Sequence, residues 1–352
     1  MNINACGLFL QSKNPWKIAS SQNAGQRQTV VVELAKNGVR AFGEASPSKL
    51  YNESAGEVLQ SLTQINASKL SFADISGSME YLDEVPGLPV AARCAINLAL
   101  LDGAAKLAQC ALHDFLGLKF HEGRYLTSFS IGIDTPEIIR QKVLEATAYQ
   151  VLKLKVGVAR DRENLAALRE AAPDKLLRLD ANEGWKTKED ALRMLEWLAK
   201  TDGNIQFVEQ PMPRNATSKD LIWLKERSPL PLFADESCHT VRDIPHCAEC
   251  FHGINVKLIK TGGISMAVET LLAARKAGLK TMIGCMLETS LMISAAAQLA
   301  DLADYLDLDG NLLITNDPFE GVTAAGGIMS FALAKEKYGL QANWRPAHEP
   351  RK

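Results

Sequence analysis

The sequence predicts an α/β fold, a (β/α)7β barrel of TIM-like form with an α+β capping domain built from the N-terminal segment and the C-terminal tail. Three observations predict it. After Gly123, short apolar runs suited to strands alternate with longer helical stretches. Before Gly123, strand-like sequence is followed by helical sequence. Charged residues also recur where the later strands end, on one side of an apolar alternation.

From Ile3 to about Gly43 the pattern is strand-like, with β-branched residues at Thr29 to Leu34 and hairpin-turn chemistry at Lys36-Asn37-Gly38. From Ser54 to Leu118 apolar residues recur at helical spacing, most clearly over Val90 to Leu112. Eight strand candidates follow: Tyr125 to Ile131, Val151 to Lys155, Leu177 to Asp180, Ile205 to Glu209, Leu232 to Asp235, Ile254 to Lys257, Lys280 to Gly284 and Asp304 to Asp307. Between them Thr135-Pro136 marks a helix start with proline at its first position, and Thr187 with Asp190 resembles a capping box. Little helical sequence follows the last strand, hence seven βα units and a final strand. The expected division is a cap over residues 1–120, rejoined by 325–352, and a barrel over 121–324.

Composition narrows the partners. With 39 basic against 41 acidic residues in 352, no global field recruits nucleic acid or an acidic membrane surface. The N-terminal apolar run ends at Lys13 with no basic leader, and Ala91 to Ala104 is broken by Arg93, Asn97 and Asp102, so neither a signal peptide nor a membrane span is expected. Seven scattered cysteines speak against a disulfide framework and for the cytoplasm. A small molecule is the expected partner, and the sequence leaves room for a homo-oligomer.

In a parallel barrel the C-terminal strand ends form the active site. Lys155, Asp180, Glu209, Asp235, Lys257 and the pair Asp307 and Asp309 each fall at or just after such an end. Parity turns them inward. Leu152, Leu154 and Val156 take one face and Lys153 with Lys155 the other; Arg178 and Asp180 oppose Leu177 and Leu179; Asn255 and Lys257 oppose Ile254 and Val256. A half-exposed strand would explain one such pattern, but not three with two more strands ending in carboxylates. Asp180, Glu209 and Asp235 converging at one mouth call for a hard divalent cation, Mg²⁺ with Mn²⁺ as an alternative. A lysine near that cation and near a second lysine should have a lowered pKa and act as a base. Lys155 and Lys257, on the second and sixth strands, would then face a substrate from opposite sides.

At these residues the chain resembles the muconate-lactonizing-enzyme subgroup of the enolase superfamily over nearly its whole length. The motifs are Lys153-Leu154-Lys155, Leu179-Asp180-Ala181-Asn182, Val208-Glu209-Gln210-Pro211, Ala234-Asp235-Glu236-Ser237, and Asn255-Val256-Lys257 leading into Lys260-Thr261-Gly262-Gly263. The resemblance implies that superfamily's pairing of a lysine base with Mg²⁺. Within the subgroup, Leu306-Asp307-Leu308-Asp309-Gly310 looks like the Asp-x-Asp motif of dipeptide epimerases, whose carboxylates bind the substrate's free amino group. The resemblance implies an isomerase that moves a proton at the α-carbon of a dipeptide's C-terminal residue. Lys153, Cys285 in Gly284-Cys285-Met286-Leu287-Glu288, and Thr127 join Asp307 and Asp309 as implied substrate contacts.

Two cap loops, about Pro15 to Gln28 and Ser46 to Glu53, are implied to set specificity. Relatives acting on L-Ala-L-Glu carry an arginine in the first. Near Ser20 or Ser21 none stands here, leaving Lys17 or Arg27 as substitutes or a different dipeptide as substrate. The alternatives are a cycloisomerase or o-succinylbenzoate synthase of the same superfamily and, from another class, a barrel that only binds a metal or a partner. His246-Cys247-Ala248-Glu249-Cys250 reads better as a packed helix than as a zinc site, because no second cysteine pair completes one.

Overall fold

The computed structural model describes residues 1–348 apart from 15, 20 and 24, with backbone only at 16 and 21–23. Its N-terminal part is a three-stranded antiparallel sheet whose strands, Asn2–Gln11, Gln26–Lys36 and Val39–Ala45, lie in chain order. The second and third meet at Asn37 and Gly38, both left-handed with φ of 51° and 82°, the turn that asparagine–glycine favours because it matches the twist of the strands it joins. Valines and leucines of this sheet (Val30, Val32, Leu34) pack on the helix Val90–Leu107 with Ala92, Ala95, Ile96 and Ala99. That helix is apolar on nearly every side because a second core, continuous with the barrel, meets its other face through Cys94, Leu98 and Leu101.

An eight-stranded parallel sheet follows in chain order: Phe129–Ile131, Val151–Lys155, Leu176–Asp180, Ile205–Glu209, Leu232–Ala234, Gly253–Val256, Lys280–Gly284 and Tyr305–Asp307. The expected strands are present, shortened at the first and at most shifted by a residue or two elsewhere. A Thr127–Leu306 bridge and the Ser128 amide donating to Leu306 O (3.2 Å) nearly close the first strand on the last. Strand parity is as the sequence predicts. Leu152, Leu154, Leu177, Leu179, Ile254 and Val256 face the helices. Inside, Phe207, Phe233 and Met282 with Tyr305 plug the barrel below the mouth. Arg178 lies over the Phe207 and Tyr305 rings (5.7 and 5.1 Å) and donates to Leu306 O at 2.5 Å, and burial lowers its guanidinium to about 10.

The helix starts are also where expected. Thr135 precedes the helix Pro136–Glu145 without a side-chain capping bond, whereas Thr187 accepts from the Asp190 amide at 3.1 Å. Beyond the last strand the chain returns along the first part. Ser12 bridges Ile314, Leu112 donates to Gly339 O (2.8 Å), and Phe319 and Trp344 pack edge-on against Phe42. Cys247 and Cys250 are buried in the helix Ile244–Cys250. Among the described residues, no helix is long and apolar enough to cross a membrane.

Candidate active site

Parallel strands in register bring successive strand ends side by side: Lys155 lies opposite Asp180, and Asp180 opposite Glu209. Asp180, Glu209 and Asp235 are all buried, and they offer oxygens within 4.8 Å of one another. Four lysines surround them. Lys155 Nζ is 2.7 Å from Asp180, Lys257 Nζ 2.8 Å and Lys260 Nζ 2.7 Å from Asp235, and Lys153 Nζ 2.6 Å from Glu209. Lys155 and Lys257 thus reach the carboxylate cluster from the second and sixth strands, as predicted.

Polar neighbours fix each carboxylate. Asn182 donates its amide to Asp180 Oδ1 (3.0 Å), Asn255 Nδ2 donates to Glu209 Oε1 (2.7 Å), and Lys260 also donates to Asp235 O and Asn255 O. Gln210 joins two strand ends, its Oε1 accepting from the Asp235 and Ser237 amides. Asn182, Glu183 and Gln210 have positive φ (41°, 66° and 37°), so the chain turns sharply just after Asp180 and Glu209. Left-handed backbone at three non-glycine residues is strain of the kind that gathers at functional sites.

The electrostatics fit a cation. Burial raises Asp180 and Asp235, but the lysines outweigh it and hold both below the ordinary carboxylate range. Glu209 instead is pushed up to about 7, by burial and then by Asp180. Nearby, Asn182 Oδ1 and Glu236 Oε2 are buried without hydrogen-bond partners. Hard oxygens in excess of the donors that face them are what a divalent ion neutralises. Burial pushes Lys257 down, yet Asp235 with Tyr51 and Glu209 holds it well above its usual value, and Lys153 is likewise raised against burial by Asp307, Glu209 and Asp180. The reason is direct: each ammonium touches a carboxylate, whose charge favours the protonated form.

The remaining predicted residues gather at the same mouth. Asp307 accepts from Ser128 Oγ and Lys153 Nζ, both at 2.6 Å, and against burial these hold it at about 2. Asp309 accepts the Ser130 amide (2.6 Å) and is pushed up to about 6 by burial and by Asp307. Cys285 Sγ lies 3.2 Å from Asp307 O, its thiol raised well above normal by burial. Thr127 is fully buried; its hydroxyl accepts the Leu308 amide (2.6 Å) and so orders the Asp307 to Asp309 turn from beneath. Met286 Sδ is 4.0 Å from Lys257 Nζ.

Sequence reasoning gave Lys260, Gln210 and Asn255 no separate roles. A signal existed for Lys260, one short helical step after Lys257, and Asn255 shares the inward parity of Lys257. Of the cap loops, the backbone of Lys17 accepts the Ile133 amide (3.0 Å), seating the first loop on the barrel. The Lys17 side chain is exposed. Arg27 is committed to the second loop, donating Nε to Ser46 Oγ (3.1 Å) and Nη2 to the Ser46 and Pro47 carbonyls. Ser20 and the Ser21 side chain lie outside the described residues.

Two family models match. Residues 8–117 match the mandelate racemase / muconate lactonizing enzyme N-terminal domain, and residues 138–325 the enolase C-terminal domain-like family. An L-Ala-D/L-amino acid epimerase from Pedosphaera parvula is 59% identical over 94% of this chain and 96% of its own. An L-Ala-D/L-Glu epimerase from Bacteroides thetaiotaomicron is 38% identical over 85% of this chain and 77% of its own. Among solved structures, a dipeptide epimerase from Enterococcus faecalis in complex with Mg and L-Leu-L-Tyr superposes with a TM-score of 0.88 at 28% identity, covering 97% of this chain and 98% of that one.

Proposed function

The chain belongs to the mandelate racemase / muconate lactonizing enzyme family of the enolase superfamily, and on that premise we propose that it is a dipeptide epimerase. Lys155 and Lys257 exchange a proton at the α-carbon of the C-terminal residue. One lysine, as the free amine, takes the proton, and the C–H electrons move into the adjacent carboxylate as an enolate. The other lysine, as ammonium, returns a proton to the opposite face. The configuration inverts and the sum of protons is unchanged.

The observation that carries this reading is the placement of the two lysines, each within 2.8 Å of a different carboxylate of one buried cluster, Lys155 at the end of the second barrel strand and Lys257 just past the end of the sixth. Asp180, Glu209 and Asp235 would hold Mg²⁺ or Mn²⁺, which supplies positive charge to balance these carboxylates and the charge that develops on the substrate. Lys153, kept protonated by three carboxylates, suits binding of the substrate carboxylate. Asp309, with Asp307 behind it, suits the dipeptide's ammonium. All seven cysteines are free, which supports a reducing compartment, the cytoplasm.

Incubation with Mg²⁺ and a library of L-Ala-L-X dipeptides, resolved by chiral chromatography, tests the reading. New L-D epimers are the expected product. Turnover of a muconate or succinylbenzoate precursor with no dipeptide epimerised would move the assignment to a cycloisomerase or synthase. A barrel that only binds would turn over neither.

A further inference from the structure

Across the boundary between cap and barrel lies a buried polar cluster that the proton transfer does not use. Glu44, on the cap strand Val39–Ala45, is fully buried. Thr29 of the neighbouring cap strand donates its hydroxyl to Glu44 Oε1 at 2.8 Å. From the barrel, Thr289 donates its amide to both oxygens at 3.3 Å and its hydroxyl to Oε2 at 2.5 Å. Thr289 caps the helix Ser290–Ala297 and ends the segment that leaves the seventh barrel strand. Beside it Glu288 is buried, with Oε1 lacking a hydrogen-bond partner. The charge of Arg27 reaches both carboxylates, and that of Lys257 reaches Glu288 as well. Burial and then Glu288 push Glu44 up to about 7.

The segment so held is the one that touches the reacting groups. Cys285 Sγ lies 4.0 Å from Asp309 Oδ1, and Met286 Sδ 4.0 Å from Lys257 Nζ. On its other side Gly310 packs so closely that an added Cβ would stand 2.1 Å from Met286 O. Residues 285 to 288 are therefore gripped between the Asp307 to Gly310 turn and a carboxylate that belongs to the cap.

We propose that Glu44 is a positioning residue: by binding Thr289 across the boundary it sets where Cys285 and Met286 stand against Asp309 and Lys257, so that the cap's register on the barrel is transmitted to the site. The inference rests on the reading of Lys257 as one of the two bases. Buried carboxylates are costly unless their partners are all in place, and here the partners lie on two separate parts of the fold.

The test compares Glu44→Gln, Thr289→Val and Thr289→Ser with wild type by steady-state kinetics, by Mg²⁺ titration calorimetry and by hydrogen–deuterium exchange over residues 284–291. Glu44→Gln and Thr289→Val should lower kcat tenfold or more with KM and Mg²⁺ affinity changed less than threefold. Exchange should rise several-fold in that segment and nowhere else. Thr289→Ser, which keeps amide and hydroxyl, should restore kcat to within twofold of wild type. Unchanged kcat or unchanged local exchange in Glu44→Gln overturns the proposal. So does a loss of kcat matched by loss of Mg²⁺ affinity and of protection throughout the chain. If wild type epimerises no dipeptide, the functional reading fails by itself, and the exchange comparison alone decides whether Glu44 holds the segment.

Discussion

Asp309 shows how single residues here set function against stability. Its carboxyl is pushed from 3.8 to about 6 by burial and by Asp307. A carboxyl raised in the folded state contributes stability that is present below its ordinary pKa and lost as pH rises through the folded value. The window is therefore about pH 4 to 6. Asp309→Asn should raise the melting temperature at pH 8, by up to about 3 kcal/mol of stability, and leave it unchanged at pH 4. The same variant should lose dipeptide affinity, because the ammonium loses its anion. In wild type, KM should climb as pH falls below about 6, a trend absent from Asp309→Asn. Melting curves and KM profiles across pH 4 to 8 check both. At this scale the sequence was informative wherever strand parity applied: Lys153, Lys155, Asp180 and Lys257 could be turned inward from their aliphatic neighbours alone. It was silent where a side chain acts through a distant partner. Thr127 meets Leu308 across 181 positions and Glu44 meets Thr289 across 245, and no local pattern announces either.

Elements were legible in proportion to how local their causes are. The Asn37–Gly38 hairpin and the strands with alternating leucines needed only neighbours. The first barrel strand, Phe129–Ile131, was read too long at its start, because Leu126 and Thr127 ahead of it pair as isolated bridges with Ile328 and Leu306 and stand outside the ladder. The tail illustrates what tertiary contacts add. Asp102, buried within the helix Val90–Leu107, accepts the Phe42 amide (2.9 Å), the Leu340 amide (2.8 Å) and Lys106 Nζ (2.7 Å), joining sheet, helix and tail at one carboxylate. Asp102→Ala leaves two buried amides and a lysine without their acceptor. A loss of about 3 to 5 kcal/mol is expected, measurable by urea unfolding followed through Trp344, which packs on Phe42. A smaller loss than 1 kcal/mol would mean that the tail is held by its apolar contacts.

For the whole molecule, the barrel brings residues from Lys153 to Asp309 to one mouth, and the cap closes it by contacts such as Lys17 O with the Ile133 amide. A cation bound by Asp180, Glu209 and Asp235 in the folded state alone should stabilise the chain. At a hundred times its dissociation constant Mg²⁺ adds about 2.7 kcal/mol, seen as a higher melting temperature that EDTA reverses and Asp235→Asn abolishes. The two-base proposal is tested most directly by single-lysine variants in D₂O. Each epimer of a turned-over dipeptide presents its α-proton to one lysine. Lys155→Ala should therefore lose α-deuterium incorporation from one epimer and Lys257→Ala from the other, by about a hundredfold or more, with Mg²⁺ binding retained in both. Equal exchange from both epimers in either variant would contradict the account.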